Sequence, residues 1–550
     1  MITSKVKAEL RHKYYQIRPP EYIRQLNILE KQLLDISDSI PKSDIRIVYG
    51  PSFSIYEPCF IHDRILSIAL RLRGATILPI YCDQVQESEC NVNAGEWMGA
   101  SFNEACLRCN MFSKLLWNKS FKPYKLSQWL PQNDSAAINL KVQKMRFDEI
   151  IRYQEDGFPL GQWCEDIIVN SYMVGDFTLI ENYEDIFKTH LENILRLKTI
   201  YKRMVSDLKP DRIVSNDSFY GMWGILEKLS IQENLDFYSH WEGDRKDAWC
   251  YAYQDAAMKL DFRKPWEKYS KQPLSDSARA KVKNWLENRT QGLDMILNTA
   301  AIGEHHTDEF SLSTLENSDK PKALLCANVI WDCAALNKQI IFEDMMDWLI
   351  QIIKWFESRP EYELIIKPHP VEENPLLPQT VETVQKSLLK RDIKIPSNVF
   401  LLSAKVKCTV YDLFRYAKVG LMHTSTVGME MAALGMPVIT SAKAPYRGYG
   451  FTIDCSDKSH FFNQLIATLD AEAGIRTQQI ENAYKFIYFY RFHYYTKIDI
   501  MSYEFSKEPK VLIENIDELR PGSNPALDYI VDKILDGKPI IDENNWMAES

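Results

Sequence analysis

No apolar run in the 550 residues approaches the ~18–20 that a membrane-spanning helix requires. The opening MITSKVKAELRHKYYQIRPP also has no apolar core of a secretory signal. A soluble, cytoplasmic protein is the resulting expectation. Basic residues are outnumbered 66 to 75, for a formal charge of −9. This argues against a generally basic nucleic-acid binder and leaves only a local basic patch open. Eleven cysteines at uneven spacing do not make a secreted disulfide framework. Cys82, Cys90, Cys106 and Cys109 fall in one region, and Cys106-Leu-Arg-Cys109 has zinc-like spacing. No second such pair follows, so buried free thiols are expected and a metal there stays an open question. Internal repeats and low-complexity segments are absent.

What is present is ordinary globular material, 45% hydrophobic and 26% charged, enough for full cores. Disorder, collagen and coiled coil are excluded. At about 150 residues per domain the length allows three or four domains, and two large α/β domains fit equally well. Aromatic content, 12%, is the departure from average. Such rings stack on sugars and bases or simply fill cores.

Apolar spacing predicts an amphipathic N-terminal helical extension over 1–40, then a strand at 45–49, a helix at 62–73 and a strand at 75–80. This βαβ start implies a parallel sheet. A second unit follows, with strand 210–215 and helix 221–229. The polar stretch 261–320 reads as a linker region containing a helix at 275–293. Strands at 323–327, 362–367, 398–402, 419–422 and 437–440 then alternate with helices at 343–358, 411–418 and 427–434, the pattern of a doubly wound sheet. The expected organisation is one Rossmann-like domain over 41–260, a second over 321–480, and a segment over 481–550 that returns to the first domain. The aromatic cluster Tyr484–Tyr495, with Arg491 and His493, is expected to be the crossing helix packing on that first domain.

Lys367-Pro-His369-Pro370 stands at the carboxyl end of a predicted strand, where open α/β sheets bind ligands. Pro370 restrains His369 to extended backbone, and an imidazole so held beside Lys367 suits a phosphate oxygen. A structural turn that happens to contain histidine is the alternative. His423-Thr-Ser-Thr-Val-Gly-Met-Glu430 lies between a strand and a helix. There Ser425, Thr426 and the following N–H groups suit a phosphate, and Glu430 suits ribose hydroxyls. The alternative is N-capping by Ser or Thr, with Glu430 in a capping box. Asn328, Trp331 and Asp332 follow the first strand of this half, as sugar contacts or as a capped turn.

These motifs, together with Asp412, the Ala-Leu-Gly-Met-Pro-Val-Ile run and Tyr446-Arg-Gly-Tyr-Gly-Phe451, resemble the donor half of capsule polysaccharide biosynthesis glycosyltransferases. The resemblance is specific over about 320–455 and weaker over 40–260. It implies an α/β GT-B fold, two Rossmann-like domains facing across a cleft. The better-understood members are retaining Kdo transferases that use CMP-β-Kdo and an aspartate nucleophile. Carried to this sequence, it implies donor-phosphate contacts at His369, Ser425 and Thr426, a nucleoside contact at Glu430, and chemistry without a metal or further cofactor. The lack of a convincing Asp-x-Asp donor motif agrees with that.

The catalytic carboxylate is then expected from the first half, as a general base or as a nucleophile. Asp217, after the strand 210–215, is the first candidate, against an Asx-turn or cap. Asp63, placed with His62 at the start of the first helix, is the second, against an N-cap. Glu242 and His240 lie in Ser239-His-Trp-Glu-Gly-Asp244, expected as a loop after a strand at 235–238. That element resembles the acidic element of His-Pro-motif sialyltransferases and makes Glu242 a rival to Asp217. Gly157-Phe-Pro-Leu-Gly161 is a weak acceptor-loop candidate. The function expected is transfer of a sugar, Kdo from CMP-Kdo, to a surface polysaccharide or glycolipid. A CDP-polyol or UDP-sugar transferase and a non-catalytic polysaccharide- or partner-binding subunit are the alternatives. Lipid-linked acceptors leave peripheral docking on the inner face of the plasma membrane, or recruitment by a biosynthetic complex, open.

Overall fold

The structure is a computed structural model. It describes the chain except residues 1–9, 11–12, 16, 55, 87, 89, 91–105, 108, 114–120, 217–220, 244, 246, 292–307, 309, 333–334, 375–378, 473–475, 505–506 and 542–550. The chain forms two compact units, one of Met1–Ile168, Glu181–Leu260 and Tyr494–Asp542, the other of Val169–Ile180, Asp261–His493 and Glu543–Ser550. The described part of 261–320 is therefore built into the second unit rather than standing as a linker. Residues 481–493 also belong there, and the return to the first unit begins at Tyr494. The aromatic cluster from Tyr484 thus packs mainly within the second unit, where Phe486 meets Tyr449, Phe451 and Phe262. Among the described residues no helix is long and apolar enough to cross a membrane.

The first unit holds strands β1 (Arg46–Tyr49), β2 (Thr76–Tyr81), β3 (Tyr124–Lys125), β4 (Arg212–Asn216), β5 (Asp236–Glu242) and β6 (Ala248–Tyr253). With the short returning strand Thr496–Lys497 they form one sheet. From β3 to β5 the spatial order is β3-β2-β1-β4-β5, all parallel, and β6 closes the run antiparallel to β5. Helices α1 (Glu21–Asp35) and α2 (Glu57–Leu72) cover one face. The α2 helix starts five residues earlier than the sequence pattern indicates, with Pro58 in its first turn. His62 and Asp63 consequently lie in its second turn, so Asp63 is not an N-cap. Likewise β5 runs on through Glu242, because Ser239 and His240 pair with Ser215 and Asn216 and all of Ser239–Glu242 pair with β6. His240 and Glu242 are strand residues on one face, not loop residues.

The second unit is built on strands β7 (Lys322–Cys326), β8 (Glu363–Lys367), β9 (Val399–Leu401), β10 (Val419–Met422), β11 (Val438–Thr440) and β12 (Ile453–Asp454). All are parallel in the order β12-β11-β10-β7-β8-β9. This is the doubly wound Rossmann order, whose winding reverses between β7 and β10. Helices α3 (Asp276–Thr290), α4 (Met345–Glu357), α5 (Val427–Ala433) and α6 (Thr477–Phe489) are used below. The α4 helix buries Trp348, Leu349, Ile352 and Phe356 on one stripe at helical spacing.

Within the first unit, α1 is fixed to α2 by a buried ion pair, in which Arg64 donates to Glu30 with both side chains 1% exposed. Removing one partner leaves a charge buried without its counter-ion. Glu30→Ala is expected to lower unfolding free energy by about 3–5 kcal/mol. Glu30→Leu combined with Arg64→Met is expected to cost far less; urea denaturation of the two variants checks the difference.

Candidate functional site

The register of the second sheet aligns Met422 with Cys326 and Cys326 with Lys367. The loops that begin at His423, Ala327 and Pro368 therefore leave side by side from the carboxyl edge at the winding reversal, where ligands of such sheets bind. Asn328 joins two of these loops, its side-chain carbonyl accepting from the Thr424 N–H at 3.2 Å. Trp331 is half-buried against the core and donates from Nε1 to Thr380 at 3.2 Å.

Lys367 ends β8 and is 4% exposed. Its Nζ has no hydrogen-bond partner among the described residues. Burial holds the ammonium below the ordinary lysine value, while the Cys408 and Cys326 thiols act against this. A buried ammonium without a partner is costly, and an anion at the strand end removes that cost. His369 has extended backbone, φ −70° and ψ 132°, as its place before Pro370 dictates. Pro370 then opens a single 3₁₀ turn, Pro370–Glu373. The Val371 N–H donates to His369 Nδ1 at 3.2 Å. The neutral ring therefore carries its proton on Nε2, as a donor. Burial pushes this imidazole down to about 4; Asp332 works upward, Lys367 and Arg289 downward. Neutral His369 is thus the state present near pH 7.

Ser425 and Thr426 are half-buried, and Thr426 makes no side-chain capping bond to α5. The capping-box alternative for this motif does not hold. Glu430 differs from its expected role too. It is wholly buried, accepting from Arg289 Nε at 3.1 Å and from the Tyr411 hydroxyl at 2.6 Å, so both oxygens are engaged within the protein rather than turned to a nucleoside. The loop itself is held by the Tyr446 hydroxyl, which donates to the Ser425 carbonyl at 2.7 Å. That contact requires Gly428, since a Cβ there would lie 2.2 Å from the Tyr446 oxygen.

The first unit has a second polar cluster at its own winding reversal, between β1 and β4. Gly50 ends β1 at φ +108°, and a Cβ there would meet the Ile80 carbonyl at 2.7 Å. The sharp exit brings Ser52 back to donate to Asp63 Oδ2. Asp63 Oδ1 lies 2.8 Å from His240 Nε2. His62 contacts the Tyr251 hydroxyl through Nε2 at 2.6 Å and stacks on Trp249. Asp63, His62 and His240 are essentially unexposed. Burial would raise the Asp63 carboxyl, but the His240 imidazole and hydrogen bonds from both histidines outweigh it and hold it below the ordinary range. Burial pushes His62 down to about 4, with His240 adding to this and Asp63 opposing.

These three side chains bring one ligand atom each within 4.8 Å of one another. The two imidazoles, however, lie 4.3 Å apart, centroid to centroid, at a 40° tilt. His240 Nε2 faces Asp63 Oδ1 at 2.8 Å and His62 Nε2 faces the Tyr251 hydroxyl at 2.6 Å, so these nitrogens are engaged within the protein. A carboxylate–imidazole pair, Asp63 with His240, describes the geometry better. The cysteines place no such group together among the described residues. Burial raises the Cys82 thiol to about 12, against thiolate formation.

Glu242 lies two residues beyond His240 and is half-buried. The Tyr56 hydroxyl donates to its Oε1, and the Tyr56 ring stacks on Trp241 at 5.2 Å. Burial pushes this carboxyl up from the ordinary 4.5 to about 7, with Tyr56 acting against the rise. Glu242 can therefore both give and take a proton near neutrality. Asp217 lies outside the described residues; its neighbour Asn216 is the register partner of His240. Gly157–Gly161 closes a turn and starts a helix, with Lys198 above Phe158. Sequence reasoning missed Arg289, Tyr411 and Tyr56 as site residues; Arg289 and Tyr56 lie far along the chain from the residues they support, and Tyr411 reaches Glu430 from a separate helix.

Two Rossmann-like α/β units, with the chain returning to the first after His493, make up the GT-B class. Within that class, residues 284–490 match the family model described as capsule polysaccharide biosynthesis protein, the family to which the motifs point. No curated protein matches the chain. Among solved structures it is similar to the β-Kdo 2,7 transferase of Thermosulfurimonas dismutans KpsC, at 15% identity and TM-score 0.31, covering 58% of this chain and 88% of that one. The β-Kdo 2,4 transferase of the same KpsC aligns at 12% identity and TM-score 0.33, over 56% and 87%. A UDP-GlcNAc 2-epimerase from Neisseria meningitidis aligns at 13% identity and TM-score 0.21, over 80% and 98%. At such TM-scores these likenesses bear on neither substrate nor mechanism.

Gly428→Ala is expected to displace Tyr446 and the Ser425 loop, lowering stability by about 1–3 kcal/mol. Thermal unfolding checks the loss, and Tyr446→Phe, which leaves more room for the new methyl, is expected to recover part of it in the double variant.

Proposed function

We propose that the protein is a glycosyltransferase that moves a sugar from a nucleotide-activated donor to a surface polysaccharide or glycolipid. The observation that carries this reading is the buried Lys367 ammonium, without a hydrogen-bond partner among the described residues, beside the donor N–H of His369 at the winding reversal of a Rossmann sheet. The site offers a cation and a neutral hydrogen-bond donor where a leaving phosphate gains charge. Ser425 and Thr426 complete the set with hydroxyls. With those groups meeting the leaving-group charge, the chemistry needs no metal ion. The donor in this reading is CMP-Kdo and the outcome retention, because the motifs at 367–370 and 423–430 resemble those of the Kdo transferases. The protein acts on the cytoplasmic face of the membrane, where lipid-linked acceptors are presented.

In the first unit, the reading assigns Glu242 as the acid–base group on the acceptor hydroxyl. Asp63 holds His240 through the short Oδ1–Nε2 contact, and Asp217 is the nucleophile that forms the glycosyl-enzyme. Trp241 stacks on the sugar.

A screen of CMP-, CDP- and UDP-activated donors, read as nucleotide release, is expected to show turnover with CMP-Kdo that His369→Ala lowers by at least about a hundredfold. Release undiminished in that variant would remove the phosphate role. Turnover with a CDP-polyol or UDP-sugar instead of CMP-Kdo would reassign the donor.

The rate is further expected to climb with pH as Glu242 loses its proton near 7, since only the carboxylate can act as base. Glu242→Gln is expected to flatten this limb and to lower the rate about 10²–10⁴-fold. A pH profile that keeps its limb in Glu242→Gln takes the residue out of the role.

A further inference from the structure

Residues 169–180 belong to the second unit, although the chain up to Ile168 and from Glu181 belongs to the first. They start in the last turn of the helix Leu160–Tyr172 and continue as a strap. One carboxylate grips the strap's backbone. Glu382, 3% exposed, accepts through Oε2 from the Gly175 N–H at 2.9 Å and the Asp176 N–H at 3.0 Å. In return the Met173 carbonyl accepts from the Val381 and Glu382 N–H groups at 3.2 and 3.3 Å. Lys390 pairs with Asp176 at 2.6 Å. Met173 itself takes φ +55°, which a residue with a side chain keeps only where its surroundings hold it.

The strap also meets the loop that leaves β7. Asn170 donates from Nδ2 to the Trp331 carbonyl at 3.3 Å. A Cβ at Gly175 would lie 2.9 Å from Ile330 Cδ1, so the backbone there packs directly on Ile330. Both partners of the strap lead to the carboxyl edge of the sheet. The β7 loop carries Asn328, which holds the Thr424 N–H of the neighbouring loop. The segment 380–384 takes the Trp331 indole at Thr380, and its Val384 N–H donates at 3.1 Å to Glu372, on the turn Pro370–Glu373 that follows His369. Glu372 and Glu382 are thus two buried acids used to fix loop against loop at this edge, where strand pairing does not reach.

From this arrangement we infer that the strap 170–176 is part of the donor site, holding the Ile330 and Trp331 loop in place, and that Glu382 and Asn170 are positioning residues for binding of the nucleotide-activated sugar. The inference rests on the donor-site reading of this sheet edge. Neither residue needs to touch the donor. They act by removing loop freedom beforehand, which would otherwise be lost when the donor binds.

The test is isothermal titration of CMP-Kdo into the full-length protein and its Asn170→Ala, Glu382→Ala, Glu382→Gln and His369→Ala variants, with circular dichroism and thermal unfolding to confirm each fold. Glu382→Ala loses two charge-assisted bonds and is expected to bind about ten- to a hundredfold more weakly. Asn170→Ala loses one neutral bond at a helix end, so it keeps the test open if Glu382→Ala does not fold; it is expected to bind about three- to tenfold more weakly. Glu382→Gln keeps an oxygen for the Gly175 and Asp176 N–H groups and is expected to stay within about threefold of wild type. A strap that serves stability alone would lower the unfolding temperature and leave affinity unchanged. Affinities equal to wild type in the folded alanine variants, with binding lost in His369→Ala, overturn the role of the strap and leave the donor site standing. Failure of the wild-type protein to bind CMP-Kdo overturns the donor reading and this inference with it.

Discussion

The arrangement depends above all on parallel strand pairing at two winding reversals. In the second unit β7 lies between β8 and β10, and their aligned ends release three loops at one edge. In the first unit β1 and β4 pair in the same way, Val48 with Ile213. Where the crossovers turn in opposite directions, no helix covers the carboxyl ends, and a crevice remains between the loops. Residues hundreds of positions apart thereby become neighbours, and the chemistry of both clusters follows from that placement.

Burial then sets the character of each cluster. The second unit has a lysine and a histidine whose cationic forms burial disfavours, both at an edge where an anion would relieve the cost. The first unit pairs a carboxylate held ionised by His240 with a carboxyl pushed up to about 7 a short way along the same strand. Environments that drive two acids apart are how one fold supplies both a stable anion and a proton-transfer group. Aromatic rings serve both ends: Trp249 packs His62 in place, while Tyr56 and Trp241 flank Glu242. Part of the unusual aromatic content is in this way site architecture, and much of the rest is core, as around Phe486.

Most elements of the second unit were legible in the chain, because each strand there is a short apolar run bounded by turn residues and each helix carries an apolar stripe. The carboxyl-end position of Lys367 and His369 followed directly. Elsewhere the pattern was insufficient. Strand β5 continues through the polar Ser239-His-Trp-Glu because β6 pairs with it, a partner that hydropathy along β5 does not reveal. Helix α2 begins at Glu57, so His62 and Asp63 are interior residues and the capping account of Asp63 fails. Glu430 reads as a capping-box residue or a nucleoside contact, yet its carboxylate is taken by Arg289 and Tyr411, which arrive from other elements.

The sequence by itself determined the alternation of strands and helices and the proline restraint on His369. These are local matters, governed by backbone sterics and by the period of apolar residues. Tertiary structure alone decided that Asp63 meets His240, that Tyr56 meets Glu242 and that Arg289 meets Glu430. Each is a contact between side chains far apart in the chain, and its energy depends on burial and direction, which exist only once the sheets have closed around them.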